Sequence, residues 1–457
     1  MSRKNIGRFS FGFQLLLWTG GIYHRLYYRR FTIIGRDKVP EGKPVIFAAN
    51  HQNALMDALA IIFATRRQVV FMARADIFRK KIIAALLYFL KILPVYRIRD
   101  GFHSVDQNKE VFREVFRVMK ANRPVALFPE GNHYGEKRLR ALKKGAARIA
   151  LLAEEANNFS LGVSIVPVGI DYSNYYHAGS DLLVQFGEPI PASRYREEYL
   201  ENPACALSRM TDDLSEGLRK VMLDIGPEED YLVIHEAVKL YAPVELEKNG
   251  VKKTQLNLFL AKNRLSERLS EKKGLKTLGL ETLRNEMASY FIKLSEFGIR
   301  DNQLTMSNGH RAESIVNSVI SIVLFPIHLY GMVLNYLPYG LPIFLARKIK
   351  DRHFLSSVRF GVGLLLFYAW YLILVIVSFL IFDNIFLAVA FLLSVPISGI
   401  FTFYSYRNLL RLRGNWRWIM LKHRNRKEFD GLIEQRKRIM NEIIRLLNKT
   451  EHSVSTP

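Results

Sequence analysis

Two uncharged runs lie back to back in the C-terminal third of the chain. Residues 360–382 (FGVGLLLFYAWYLILVIVSFLIF) and 384–406 (NIFLAVAFLLSVPISGIFTFYSY) contain 23 residues each, with only Asp383 between them. A helix needs about 20 apolar residues to cross the hydrocarbon of a bilayer. Two such runs in tandem fit a transmembrane hairpin turned at Asp383–Asn384 better than a pair of buried core helices. Arg347, Lys348, Lys350, Arg352 and Arg359 precede the hairpin, and Arg407, Arg411, Arg413 and Arg417 follow it. The positive-inside rule places both flanks on the cytoplasmic side. The expectation is an integral membrane protein with its larger part facing the cytoplasm.

Charge and cysteine content narrow the partners. The 457 residues carry a formal net charge of +24, and residues 1–100 alone hold 18 Lys/Arg against 5 Asp/Glu. Such a surplus calls for an anionic partner. In a membrane protein that means anionic lipid or a phosphorylated substrate rather than nucleic acid. Cys205 is the only cysteine, which excludes an internal disulfide and a thiolate metal cluster.

The rest of the chain divides by pattern. Residues 1–30 set an apolar stretch, Phe9 to Ile22, between Arg3, Lys4, Arg8 and Arg25, Arg29, Arg30. This is too short to span comfortably and lacks a small-residue cleavage site. It reads as a helix in the membrane interface. Residues 31–225 alternate short β-branched runs with helical spacing: PVIFAA at 44–49, QVVFMA at 68–73, ILPVYRI at 92–98, VALF at 125–128, SIVPVGI at 164–170 and LLVQF at 182–186. Helices are expected over 105–121 and 143–156. This is an α/β pattern, a mixed sheet covered by helices. Residues 226–310, rich in Lys, Glu and Leu, read as a helical accessory region. Residues 311–406 form the membrane region. Its first part, 314–346, is uncharged but contains Pro326, Pro338 and Pro342, and is expected as a re-entrant or broken segment. Residues 407–457 form a basic cytoplasmic tail.

Four strand ends carry chemistry-bearing residues. After 44–49 comes Asn50-His51-Gln52-Asn53-Ala54-Leu55-Met56-Asp57. A strand end leading into a helix is where α/β sheets place their sites. A turn plus helix can bring Asp57 back to His51, where a carboxylate on Nδ1 leaves Nε2 as a base. The residues alone equally admit a histidine that caps the helix. Leu93-Pro94-Val95-Tyr96-Arg97 is another strand end, its arginine able to clamp a phosphate or to pair with a surface carboxylate. After 125–128 come Pro129-Glu130-Gly131. The glycine permits close approach of a ligand, and Glu130 can accept from a hydroxyl; a plain turn is the alternative. Lys137, Arg138, Arg140, Lys143, Lys144 and Gly145 follow, opening a helix whose N-terminus favours anions. The strand at 164–170 offers a wall for an acyl chain or a place in the core.

These four blocks, in this order, resemble the glycerolipid acyltransferase family of glycerol-3-phosphate and lysophosphatidic acid acyltransferases. The resemblance covers about residues 45–190 and implies a glycerolphosphate acyltransferase-like fold. It implies that His51 is a general base oriented by Asp57, and that Arg97 binds the acceptor's phosphate. Glu130 and Gly131 would help bind glycerol phosphate, and Lys144-Gly145-Ala146 match the Lys-Gly-Ala that follows the third block. Five residues separate His51 from Asp57, where four are commoner. That spacing, with membrane segments after the catalytic domain, resembles the glycerol-3-phosphate/dihydroxyacetone-phosphate branch. Asn132-His133 stand where the family usually continues Thr-Arg or Thr-Ser.

The implied reaction moves a fatty acyl group to a hydroxyl of glycerol 3-phosphate or dihydroxyacetone phosphate. No cofactor is implied; acyl-CoA, acyl-carrier protein or acyl phosphate serves as co-substrate. The alternative acceptor is lysophosphatidic acid or another lysolipid. From other classes, an inert anionic-lipid scaffold would have no need of His51, Asp57, Arg97 and Glu130 together, and a metal-dependent hydrolase would need more ligands than His51 and Asp57.

Overall fold

The computed structural model describes residues 6–96, 104–226, 228–270, 277–306 and 309–448. The chain divides into two units, one formed by residues 1–224 and 346–360, the other by 225–345 and 361–457.

The first unit holds the sheet. Helix α1 (Phe11–Tyr27) starts at Ser10, whose hydroxyl accepts from the Phe13 N–H, a hydrogen-bonded N-cap. Then follow β1 (Arg30–Ile34), β2 (Val45–Ala49), α2 (Ala54–Thr65), β3 (Val70–Arg74), α3 (Lys81–Phe89), β4 (Ile92–Val95), α4 (Ser104–Lys120), β5 (Val125–Leu127), α5 (Gly145–Glu155), β6 (Ser164–Tyr172), β7 (Asp181–Phe186), β8 (Ile190–Pro191), α6 (Arg196–Glu201) and α7 (Pro203–Val221). The strand order is β1-β7-β6-β2-β5-β3-β4, with β8 on β6. Every pairing is parallel except β6 with β7 and β6 with β8. The sheet is thus mixed, as the pattern predicts, because one hairpin at Tyr172–Asp181 reverses the chain.

Strands β2 and β7 are buried at every residue, which explains their unbroken apolar runs. Alternate residues serve opposite faces. Ile46 and Ala48 face a core with Val111, Val115, Val118, Ala147, Leu151, Leu214 and Leu218 from α4, α5 and α7. Phe47 faces the other way, its ring 5.7 Å from that of Phe186. Strand β6 takes the core role for 164–170, and Gly169 is needed there. A Cβ on it would fall 1.8 Å from the Val221 carbonyl oxygen at the end of α7.

The boundaries differ from the sequence reading in three places. Arg30–Ile34 is a strand, because its RFTII register pairs with β7 across 150 residues of chain, a partner no local pattern reveals. Residues 346–360 lie with the first unit rather than with the membrane segments. Segment 314–346 breaks only at Leu324, ahead of Pro326. It forms α12 (Gly309–Val323) and a continuous α13 (Phe325–Ala346) that keeps Pro338 and Pro342 inside the helix.

The second unit is helical throughout its described residues: α8 (Tyr231–Lys248), α9 (Gln255–Ser270), α10 (Thr277–Phe297), α11 (Asp301–Leu304), α12, α13, the apolar part of α14 (Leu355–Ile381), α15 (Ile385–Arg424) and α16 (Arg426–Asn448). Among the described residues, three stretches are long and apolar enough to cross a membrane: Phe325–Ala346, Arg352–Ile381 and Ile385–Arg424. Small residues let α13 and α15 approach, with Gly331 against Ser398 and Gly399 against Asn335, a membrane-type packing. Buried Asn335 donates to the Gly331 and Val395 carbonyls and accepts from the Tyr371 hydroxyl at 2.9 Å. Helix α15 does not stop where its apolar run stops. Its Asn415 accepts from Gln303 of α11 at 3.0 Å, and Arg436 of α16 pairs with Asp301 at 2.7 Å.

Candidate active site

The C-terminal ends of β2, β5 and β6 lie side by side, and the loops that follow them meet. His51 leaves β2, and its ring Nδ1 lies 2.9 Å from Asp57 Oδ2. Asp57, in the first turn of α2, has no solvent exposure. The same Oδ2 accepts the Gln52 and Asn53 backbone N–H groups, each at 2.7 Å. Oδ1 accepts the Tyr172 hydroxyl at 2.9 Å. A buried carboxylate with four donors is held in one orientation. It therefore fixes the proton on His51 Nδ1 and leaves the Nε2 lone pair outward. Nε2 has no hydrogen-bond partner among the described residues. The ring stacks on Phe128 from the end of β5, centroids 4.0 Å apart and planes at 12°. One face is thereby closed to water.

The loop after β5 completes the surround. Glu130 is buried, its Oε1 accepting the His51 N–H at 2.9 Å and its Oε2 the Arg140 Nε–H at 2.8 Å. Burial pushes its carboxyl up, and the His51 N–H and the Arg140 guanidinium oppose that. Arg140 also donates to the Asn132 carbonyl. Both oxygens of Glu130 are thus engaged within the protein, tying the β5 loop to the backbone of the base. Gly131 adopts φ +79°, and a Cβ there would sit 2.8 Å from Lys143 Nζ. The Lys143 N–H donates to the Pro129 carbonyl at 2.9 Å. Its ammonium has no hydrogen-bond or ion-pair partner among the described residues.

The remaining sequence-derived candidates fall as follows. Lys144 is the residue before α5 and donates to Ser208 of α7. Gly145 opens α5 with free space where a Cβ would stand. Arg97 lies outside the described residues. Lys137 is buried and donates to Asp171 and to the Tyr172 carbonyl, a structural tie.

Residues outside the matched positions of the four blocks matter as much. Tyr172 closes the far side of Asp57, and only the tertiary fold brings it there. Lys143 stands beside Gly131 although the motif draws attention to its neighbour Lys144. His133 lies with its ring 5.6 Å from that of His51, and burial together with His51 lowers its pKa.

Residues 30–171 match the Acyltransferase family profile. Two glycerol-3-phosphate O-acyltransferases of Saccharomyces cerevisiae, numbers 2 and 1, are each 30% identical over 140 and 141 residues. Each match covers 30% of this chain but only 19% and 18% of those enzymes. The chain therefore spans about a fifth of the yeast relatives' length. A 1-acyl-sn-glycerol-3-phosphate acyltransferase of Borreliella burgdorferi is 25% identical over 163 residues, 36% of this chain and 57% of that enzyme. Over residues 30–171 the chain thus carries an acyltransferase-type domain, similar to those of the glycerolipid acyltransferases.

Proposed function

We propose that the protein is a membrane-bound O-acyltransferase. It moves a fatty acyl group from a thioester donor, acyl-CoA or acyl-carrier protein, to a hydroxyl of glycerol 3-phosphate or dihydroxyacetone phosphate in phospholipid biosynthesis. The observation that carries this is the His51–Asp57 pair, with the Lys143 ammonium against Gly131 in the neighbouring β5 loop. His51 Nε2 takes the hydroxyl proton as the oxygen attacks the acyl carbonyl carbon. The tetrahedral adduct collapses, the carbon–sulfur bond breaks, and the imidazolium returns the proton to the thiolate. Base assistance of this kind contributes roughly 10²–10⁴-fold. Asp57 stabilises the imidazolium, and its four donors keep it from rotating. Lys143, with Arg97 as the resemblance implies, holds the acceptor's phosphate, and Gly131 gives that phosphate room.

The membrane assignment is supported by the three long apolar helices and by the surface of the first unit. Helix α1 exposes Phe11, Leu15, Trp18 and Ile22 along one face. Helix α3 is eight-ninths apolar in sequence and buries none of its residues, while Arg79, Lys80 and Lys81 precede or open it. Apolar patches rimmed by basic residues fit an anionic bilayer surface. The catalytic unit then works at the cytoplasmic face, where such lipids are found.

The test is acyl transfer by detergent-solubilised protein. Both thioesters and acyl phosphate are offered against glycerol 3-phosphate, dihydroxyacetone phosphate and lysophosphatidic acid, with His51→Ala as control. His51-dependent product from either of the first two acceptors supports the proposal. Product only from lysophosphatidic acid, the substrate class in the Borreliella enzyme's name, moves the protein to that reaction. Binding to anionic vesicles with no turnover favours a scaffold.

A further inference from the structure

The family match ends at residue 171, but the site continues beyond it. Residues 351–359, which by sequence are a basic approach to the first long apolar run, reach all three loops around His51. Asp351 Oδ2 is 3.6 Å from His133 Nε2 in the β5 loop, and the rings of His353 and Phe354 lie 5.3 and 5.0 Å from that of His133. Arg359 donates to the Tyr176 carbonyl in the β6 loop at 2.8 Å. Ser356 reaches the β2 loop, donating from Oγ to Asn53 Oδ1 at 2.7 Å with both residues buried.

Asn53 is an unusual partner. It is the N-cap of α2, where an asparagine ordinarily turns its side-chain oxygen onto the N–H groups of its own helix. Its side chain makes no such bond. The amide instead accepts from Ser356 and donates to the Tyr175 carbonyl at 3.2 Å. The next residue, Ala54, sits at φ +41°, a conformation non-glycine residues rarely adopt. Two local preferences are overridden at the point where the Gln52 and Asn53 N–H groups must aim at Asp57. Backbone outliers of this kind persist only where surrounding structure over-determines them. Here the tertiary bonds of the Asn53 side chain come from Ser356 and the β6 loop.

We infer that Ser356, in the first turn of α14, is a positioning residue for acyl transfer: it holds Asn53, whose backbone N–H holds Asp57 against His51. This rests on the reading of His51 as the base. It makes the opening turn of an apolar, span-length helix part of the catalytic apparatus, although the family match contains none of it.

The test uses full-length protein carrying Ser356→Ala, Ser356→Thr or Ser357→Ala. Ser357 is the adjacent serine, also buried, and its hydroxyl has no hydrogen-bond partner among the described residues, so it controls for loss of a buried oxygen. Two readouts are taken: steady-state kinetics, and the ring ¹⁵N shifts of His51 in histidine-labelled protein, which report which nitrogen carries the proton. Ser356→Ala is expected to lower kcat about tenfold, as small misplacement of a reacting group does. KM for donor and acceptor stays within about twofold, since binding is untouched. The His51 signals move from the single Nδ1–H pattern toward an average of two tautomers. Ser356→Thr keeps both properties, and Ser357→Ala changes neither. Parental kcat and ring shifts in Ser356→Ala would overturn the inference, and so would an equal fall in Ser357→Ala. Absence of His51-dependent turnover in the parent would remove the acyl-transfer reading alone. The ring shifts would then decide whether Ser356 positions the pair.

Discussion

His24 offers a test of the fold that is independent of any substrate. It lies on the inward face of α1 with no solvent exposure. Neither ring nitrogen has a hydrogen-bond partner among the described residues. The rings of Tyr28, Phe31, Phe63 and Phe360 surround it at 4.8, 5.0, 4.6 and 5.9 Å. Burial, with a smaller contribution from Arg25, lowers its pKa to about 3. The unfolded chain binds this proton near pH 6.5, so between pH 6.5 and 3 the unfolded state holds more protons than the native one. Stability is complete above pH 6.5 and falls as the pH drops, by about 1.4 kcal/mol per unit. At pH 5 the loss from this one residue is about 2 kcal/mol, and at pH 4 about 3 kcal/mol. His24→Leu replaces the imidazole with an apolar group of similar size. The variant is expected to match the parent within about 1 kcal/mol at pH 7.5 and to escape the acid loss. The assay is thermal melting followed by the sheet signal in circular dichroism, since the described β-strands all lie in the first unit. At about 2–4 °C per kcal/mol for a unit of this size, the gap between variant and parent should open by about 4–8 °C from pH 7.5 to pH 5. Parallel pH dependence of the two melting curves would refute the reasoning.

Three further outcomes are expected. Tyr172→Phe leaves Asp57 Oδ1 buried without its hydroxyl donor; it should cost about 1–3 kcal/mol of stability and lower kcat with KM unchanged, as denaturation and steady-state kinetics would show. Lys143→Ala should raise KM for a phosphorylated acceptor by about tenfold or more while leaving KM for the acyl donor alone, whereas Lys144→Ala, whose ammonium is held by Ser208, should do less. Ile82→Glu alters a residue 86% exposed on α3 and should weaken activity on anionic vesicles more than in detergent; equal activity in both would remove α3 from the membrane surface.

The sheet was legible because its central strands are buried on both faces and therefore read as continuous apolar runs. The His51–Asp57 pairing was legible because strand, turn and helix start are contiguous. Other features depended on partners distant in sequence. Strand β1 carries two arginines at its entry, Arg29 and Arg30, which suggest the end of an interface helix. In the structure both pair with Asp181 at the start of β7. Glu130 looks like a ligand-facing carboxylate until Arg140 and the His51 N–H are seen on its two oxygens. Asn53 looks like a helix cap, and the prolines of 314–346 look like helix breakers. In each case a tertiary contact outweighs a local propensity of about 1–3 kcal/mol. The Leu334 carbonyl freed by Pro338 accepts from Trp370 Nε1–H at 2.6 Å, the kind of compensation a membrane bundle supplies.

Helix α15 runs for 40 residues, a length of about 60 Å, or twice the hydrocarbon thickness of a bilayer. Its apolar stretch accounts for about 33 Å. The remaining 18 residues, Arg407–Arg424, would stand some 27 Å clear of the lipid as a rigid mast. The accessory helices are rigged to that mast rather than tethered by a flexible linker: α11 through Gln303 and Asn415, and α16 through Arg436 and Asp301. Helices α11 and α16 would therefore be carried at a height above the bilayer set by the helix pitch. A deletion of one or two residues between Arg407 and Asn415 would rotate them by about 100° each and swing Asn415 away from Gln303.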